Sequence, residues 1–364
     1  MSTRTLLFTD CVDFVGSACK PFAGMKKYVS TGAVNVDHIN DSETEIVDYD
    51  GKPSRANLEV MAGDVLFAKM QGTKKTLLID PVLAKHIYST GFCAVRAKKA
   101  ILTERCLYHI LTSEMFLSQK DKNCSGATQK AITNAGLGKI VIRVPSIEMQ
   151  NDIADQLDAV INIIAKRQQE LSTLDELIKA RFVEMFGDPV TNPKGWQVIP
   201  WESVFDTKTG KLDSNAAVES GEYPFFTCAK DWLWIDKYAY DCEALLLAGN
   251  NAAGVYDVKH YKGKFNAYQR TYILQLKDAD WSYSLFKYQL EDRLQYLQSQ
   301  SKGTNTRYLT MGILNSLAFI APPKELQDEF TTLVAQVDKS KVVVQKALDE
   351  AQLLFDSLMQ KYFG

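Results

Sequence analysis

Two kinds of loop carry the side chains best suited to contacting a ligand, and each kind occurs twice. The first is Ala68-Lys69-Met70-Gln71-Gly72-Thr73-Lys74-Lys75, with the counterpart Ala248-Gly249-Asn250-Asn251-Ala252-Ala253-Gly254. The second is Ser125-Gly126-Ala127-Thr128-Gln129-Lys130, with the counterpart Lys302-Gly303-Thr304-Asn305-Thr306-Arg307. Glycine lets backbone approach a ligand closely. Glutamine and asparagine match an adenine edge, while lysine and arginine match guanine or phosphate. Serine and threonine hydroxyls hold phosphates and set register. The candidate DNA contacts are therefore Lys69, Gln71, Gly72, Thr73, Lys74 and Lys75, then Ser125, Thr128, Gln129 and Lys130. In the second half they are Asn250, Asn251, Lys302, Thr304, Asn305, Thr306 and Arg307, to which Tyr268, Gln269 and Arg270 are added. Lys262 and Lys264 join as cations, although the run Lys259-His260-Tyr261-Lys262-Gly263-Lys264 reads on its own as a solvated charge patch. A single Gly-Thr-Lys loop is ordinarily just a turn. A polar, glycine-bearing loop at the same point of two copies points instead to a shared task.

Catalytic signatures are absent from the same sequence. There is no GxGxxG or Walker loop and no GxSxG elbow. Asn192-Pro193 lacks the second proline and aromatic that an adenine methyltransferase would place after it, and Asp80-Pro81 has no Glu-x-Lys at nuclease spacing. The histidines His38, His86, His109 and His260 stand far apart, and the seven cysteines form no CxxC pair, so no zinc site is expected. Scattered, odd-numbered thiols suit a reducing, cytoplasmic setting better than a disulfide frame.

The loops belong to a duplication. Sliding the chain by 177 positions lays Gly126, Thr133, Leu137, Pro145, Glu148, Gln150, Val160, Leu171, Phe186 and Gly187 on Gly303, Thr310, Leu314, Pro322, Glu325, Gln327, Val337, Leu348, Phe363 and Gly364 without a gap. That period is too long for a solenoid unit and fits a duplicated domain with its spacer. Four segments follow: a globular domain over 1–145, a long helix over 146–187, a second globular domain over 188–322 and a second long helix over 323–364.

The helices rest on strict four-then-three spacing. The first seam is Ile153, Leu157, Val160, Ile164, Arg167, Leu171, Leu174, Ile178, Arg181 and Met185. The second is Phe330, Val334, Val337, Lys341, Val344, Leu348, Ala351, Phe355, Leu358 and Tyr362. Such spacing marks a coiled coil, in which polar seam residues such as Arg167 and Lys341 set register at some cost in stability. Pro145-Ser146 and Pro322-Pro323 open the helices, and Phe186-Gly187-Asp188-Pro189 closes the first. About 33 seam residues rising 1.5 Å each would span roughly 50 Å. Two matched seams predict an antiparallel pair that sets two domains apart. Within the domains, 65–68, 139–144 and 244–248 read as strands, and 101–119 and 281–299 as single helices. Phe8 to Asp13 loosely matches Trp201 to Asp206. The expected class is α+β: two mixed α/β domains, two long antiparallel coiled-coil helices and a pseudo-two-fold repeat.

The bulk numbers agree with a globular protein of two or three domains, 46% hydrophobic and 24% charged. No apolar run is long enough to span a membrane, and the first residues do not read as a signal peptide. The net charge of −2 argues weakly against a histone-like binder and leaves room for a local basic patch.

These features together resemble the specificity subunit of type I restriction-modification systems. The helix entries Pro145-Ser146-Ile147-Glu148-Met149-Gln150 and Pro322-Pro323-Lys324-Glu325-Leu326-Gln327 look like that family's Pro-Pro-x-x-Glu-Gln start, with Ser146 in place of one proline. The exits Arg181 to Pro189 and Gln360 to Gly364 look like its helix end, and the Gly-x-Thr-Gln-like loops before each helix match as well. The resemblance implies a non-catalytic subunit of a DNA adenine methyltransferase or type I restriction enzyme. Each target-recognition domain would read one half of a bipartite, asymmetric site in double-stranded DNA, with the coiled coil setting the unread gap. Two methyltransferase subunits carrying S-adenosylmethionine would dock on it, motor-nuclease subunits would join them, and the chain would hold no cofactor and contact no membrane. The alternatives are a coiled-coil scaffold pairing two protein-binding modules, or an enzyme with an unfamiliar pocket in the second domain.

Overall fold

In the computed structural model, which describes residues 3–127, 129–252 and 254–364, the apolar runs 65–68 and 244–248 lie in strands covered on both faces, while the run 139–144 falls on the strand Val141–Pro145, whose Val141 is exposed. Val65–Ala68 is buried throughout. Side chains alternate across a strand, so Val65 and Phe67 join the core built with Leu107, Ile110 and Phe116, while Leu66 and Ala68 join a second core with Val29, Leu77 and Tyr88. Tyr240–Ala248 repeats the arrangement. Leu245 and Leu247 meet Phe286 and Leu290, and Ala244 and Leu246 meet Phe226 and Phe265.

The chain forms two compact units, Met1–Gln168 with Lys346–Gly364, and Gln169–Gln345. In unit one the strands run in the order Val12–Val15, Phe92–Ala97, Val65–Ala68, Thr76–Leu78, all antiparallel neighbours. A second four-stranded sheet has the order Glu45–Val47, Lys26–Val29, Ile87–Ser89, Ala56–Leu58. Unit two has one six-stranded sheet centred on Tyr240–Ala248, flanked by Val258–Ala267 and Thr271–Leu276. The two sets of sheets differ, yet the frame around them repeats. Phe8–Cys11 and Trp201–Val204 are one-turn helices. Their first N–H groups donate to the carbonyls of Ile140 and Leu317, which are equivalent in the 177-residue frame. Thr3–Leu7 pairs antiparallel with Val141–Pro145, and Gln197–Pro200 with Ala318–Ala321.

The helices read as single from the sequence are each two. Residues 101–119 contain all of Glu104–Thr112 and the first part of Glu114–Lys122, broken at Ser113. Ser113 is extended, and its hydroxyl accepts from the Phe116 N–H, so it ends one helix and caps the next. In unit two the break falls at Arg293, between Tyr283–Asp292 and Leu294–Gln300.

The long helices are Ile147–Phe186 and Lys324–Phe363. Every seam position from Ile153 to Met185 and from Phe330 to Tyr362 is buried or half-buried, while most positions between are exposed. The boundaries of the compact units fall in the middle of both helices, because each half-helix packs on a different core. In unit one Ile153 and Leu157 pack with Met359, Tyr362 and Phe363, and the Tyr362 hydroxyl donates to Gln156 at 3.1 Å. In unit two Phe330 packs against Phe182 and Phe186 with ring centroids 5.5 and 5.6 Å apart. Arg181 pairs with Glu329 at 2.8 Å, and Lys341 pairs with Asp175. Both units thus hold their half-helices antiparallel. The first helix ends at Gly187, in the left-handed region at φ 77°. Beyond it Lys194 donates to the carbonyls of Glu184 and Met185, and the Trp196 indole donates to Phe186. No helix among the described residues is long and apolar enough to cross a membrane.

Candidate nucleic-acid interface

The two loop kinds become one surface in each unit. In unit one Cys124–Ser125 and Ala131–Ile132 form a hairpin stem, with Ser125 opposite Ala131. Its returning strand bonds to the first loop: Gln71 N–H donates to Lys130 O at 3.0 Å and Ile132 N–H to Lys69 O at 2.9 Å. In unit two Lys302 lies opposite Tyr308, Asn250–Asn251 pairs with Arg307–Tyr308, and Leu309 N–H donates to Gly249 O at 2.8 Å. The hairpin positions correspond residue for residue at the 177 displacement. Gly126 and Gly303 sit at φ 134° and 97°, and a side chain at either would strike the carbonyl of Gln129 or Thr306. Only glycine closes this tip without strain. Thr133 and Thr310 then cap the next turn of helix, accepting from the N–H groups of Gly136 and Ile313.

On these platforms Ser125, Gln129, Lys130, Lys302, Thr304, Asn305, Thr306 and Arg307 are exposed, and Asn250 and Asn251 are half-buried. Thr128 lies outside the described residues. Lys130, just before one returning strand, and Arg307, at the start of the other, are equivalent cations. Arg270 adjoins the unit-two platform, since its carbonyl accepts from Gly249 N–H at 2.8 Å. Tyr268 and Gln269 precede it, anchored through their N–H groups to Phe226 and Leu212.

In the first loop Gln71 and Gly72 are exposed, Lys74 pairs with Glu114 at 3.4 Å, and Thr73 donates to Met70 O. Lys75 donates to Thr31 O at 2.7 Å. Lys262 and Lys264 are not gathered with the others. They lie opposite Glu243 and Asp241, at the start of Tyr240–Ala248, whereas the loop leaves its far end. Lys262 pairs with Glu243 at 2.9 Å, and Lys264 sits 4.7 Å from the Tyr238 ring centre.

One support escaped the sequence reading, and a second was visible there only as a repeated position. Lys120 is 1% exposed, and its ammonium donates to Met70 O at 3.2 Å and Thr73 O at 2.6 Å, holding the first loop from beneath. Its place three and four residues after the buried Leu117 and Phe116 was the available signal. Gln150 and Gln327, at equivalent positions, are also buried. Gln150 accepts from Thr103 N–H at 2.8 Å and donates to Ile101 O and Pro145 O. Gln327 accepts from Ser282 N–H at 3.0 Å and donates to Pro322 O. Thr103 and Ser282 are the N-caps of Glu104–Thr112 and Tyr283–Asp292. Each glutamine therefore fixes how a long helix meets the rest of its unit.

Unit one adds an ionic contact. Arg105 pairs with Asp155 at 2.7 Å and with Asp158, and His109 Nε2 lies 2.8 Å from Asp158. Burial, opposed by the Asp158 carboxylate, pushes the His109 imidazole below its usual pKa. Its Nδ1 is buried with no partner among the described residues. Unit two has rings at the corresponding place, with Tyr288 stacked on Phe182 at 4.1 Å. Among the described residues no His, Cys, Asp and Glu cluster has the makings of a metal site.

The Type I restriction modification DNA specificity domain family matches residues 14–174 and again 193–351. The Escherichia coli type I restriction enzyme EcoDI specificity subunit is 36% identical over 155 residues, 41% of this chain; the matched stretch spans only 33% of that relative. The type I restriction-modification S subunit of M. genitalium shares the fold at 14% identity and TM-score 0.65, covering 100% of this chain and 96% of that one. A chain from a structure titled for complex assembly and conformational transition of the type I R-M system matches at 21% identity and TM-score 0.53, covering 99% and 97%. A match that takes in both platforms and most of both long helices means that this chain belongs to the family of type I restriction-modification DNA specificity proteins.

Proposed function

We propose that this chain is the sequence-reading, non-catalytic subunit of a type I restriction-modification complex. Each unit reads one half of a bipartite, asymmetric double-stranded DNA site through its two-loop platform. The observation that carries this reading is the recurrence of one platform, with Lys130 and Arg307 equivalent, on two otherwise different sheets. A common frame with different fillings suits two heads that do one job on two sequences. The paired long helices set the gap between the half-sites. Methyltransferase subunits, which would bring S-adenosylmethionine, dock on the helices and recognition folds, and motor-nuclease subunits join them there. Val342, Val343 and Leu353 on the second helix, 70%, 69% and 70% exposed, offer apolar contact for such docking.

The test is DNA binding by the chain co-purified with its partner subunits, across rising salt. Neutralising phosphates with Lys and Arg releases counterions, so log affinity should fall linearly with log salt. A flat response sinks the DNA reading and leaves the protein-scaffold alternative.

A further inference from the structure

Beside the unit-one platform lies a cleft of about 360 Å³, with Thr31, Arg55, Lys69, Lys75 and Gln129 among its lining. Its cations are not equivalent. Lys75 is half-buried, and its ammonium is occupied by the carbonyl of Thr31 at 2.7 Å. Arg55 and Lys69 have no ion pair or hydrogen bond at their head groups among the described residues. The Arg55 backbone, by contrast, is pinned: its carbonyl accepts from Thr90 N–H at 3.0 Å and Asn57 N–H at 2.8 Å, and the adjoining Ala56 is fully buried.

A guanidinium on an anchored backbone, open to solvent in a concave basic site, is suited to a planar pair of acceptors. In the major groove that pair is O6 and N7 of guanine. Lys69 on the same cleft is a compact point charge, better matched to phosphate. Gln129, an exposed residue on the same cleft, suits an adenine edge. Among the described residues no aromatic ring lines the cleft, which gives no stacking surface of the kind that holds an extruded base.

We infer that Arg55 is a specificity-determining residue of unit one: it reads a guanine in one half-site, with Lys69 on a neighbouring phosphate. This rests on the DNA-reading role proposed above and names one base contact within it. Arg55 is exposed, so its substitution leaves the fold intact, which thermal melting checks.

The experiment incubates the chain, co-purified with its partner subunits, with duplexes randomised across the site, and sequences the bound fraction over a salt series. Wild type returns a two-part motif with guanine in one half. Arg55→Ala abolishes preference at that position alone, by roughly 10- to 100-fold, and Arg55→Lys retains part of it. Lys69→Ala weakens all sequences alike and lowers the salt slope by about one. An unchanged Arg55→Ala motif, a uniform loss across sequences, or a wild-type motif without guanine overturns the inference while leaving DNA reading intact. Binding by wild type with neither motif nor salt dependence overturns the DNA role itself.

Discussion

At the scale of single residues, the platforms depend on positions that bind nothing. Gly126 and Gly303 place the hairpin tips by accepting a left-handed backbone where a side chain would meet a carbonyl. Gly126→Ala should lower DNA affinity several-fold, with binding to the unit-one half-site affected and melting changed by only about 1–3 kcal/mol. Gln129→Ala and Thr306→Ala should weaken opposite halves of the site, read by comparing half-site mutant duplexes. Lys120→Met keeps the volume but strips the first loop of its two carbonyl contacts, so affinity should drop together with about 1–3 kcal/mol of stability.

His109 gives a pH signature at the same scale. Its folded pKa is lowered by burial, so at mildly acidic pH the unfolded chain binds the proton more readily than the folded one. Stability is therefore full above about pH 6.5 and declines as pH falls through that value. Melting followed from neutral to mildly acidic pH should show this decline, and His109→Gln should make it shallower, leaving the share of His86, whose pKa burial also lowers. An unaltered slope in that variant would remove His109 from the account.

At the scale of elements, the long helices are more than seams. Gln150 and Gln327 tie each helix entry to the cap of a neighbouring helix, and both are buried with donor and acceptor engaged. Gln150→Ala leaves one N–H and two carbonyls unmatched and Gln327→Ala one N–H and one carbonyl, and each should cost about 1–3 kcal/mol in chemical denaturation. The seams were legible in sequence because four-three spacing of apolar residues has one geometric solution. The breaks at Ser113 and Arg293 were not, since the apolar pattern runs through both and only the local capping of Ser113 explains the first. The apolar runs 65–68 and 244–248 were legible as strands, but which side chains faced which core required the sheet order.

At the scale of the whole molecule, the proposed ruler makes a prediction that no single residue makes. Lengthening both long helices by the same whole heptad, which preserves their seams, should widen the gap between half-sites and leave the bases read in each unchanged; bound-fraction sequencing decides it. A change of bases with a constant gap would discard the ruler. The duplication, the helix pair and the identity of the loops were all written in the sequence, because each is a matter of repeated spacing along the chain. That the loops at 68–75 and 125–130 join into one surface, that Lys262 and Lys264 lie opposite the start of Tyr240–Ala248 while the loop leaves its far end, and that Arg55 shares a cleft with Gln129 were decided only by tertiary structure. Backbone pairing between segments some fifty residues apart is set by how strands are ordered in a sheet, and a one-dimensional pattern does not contain that order.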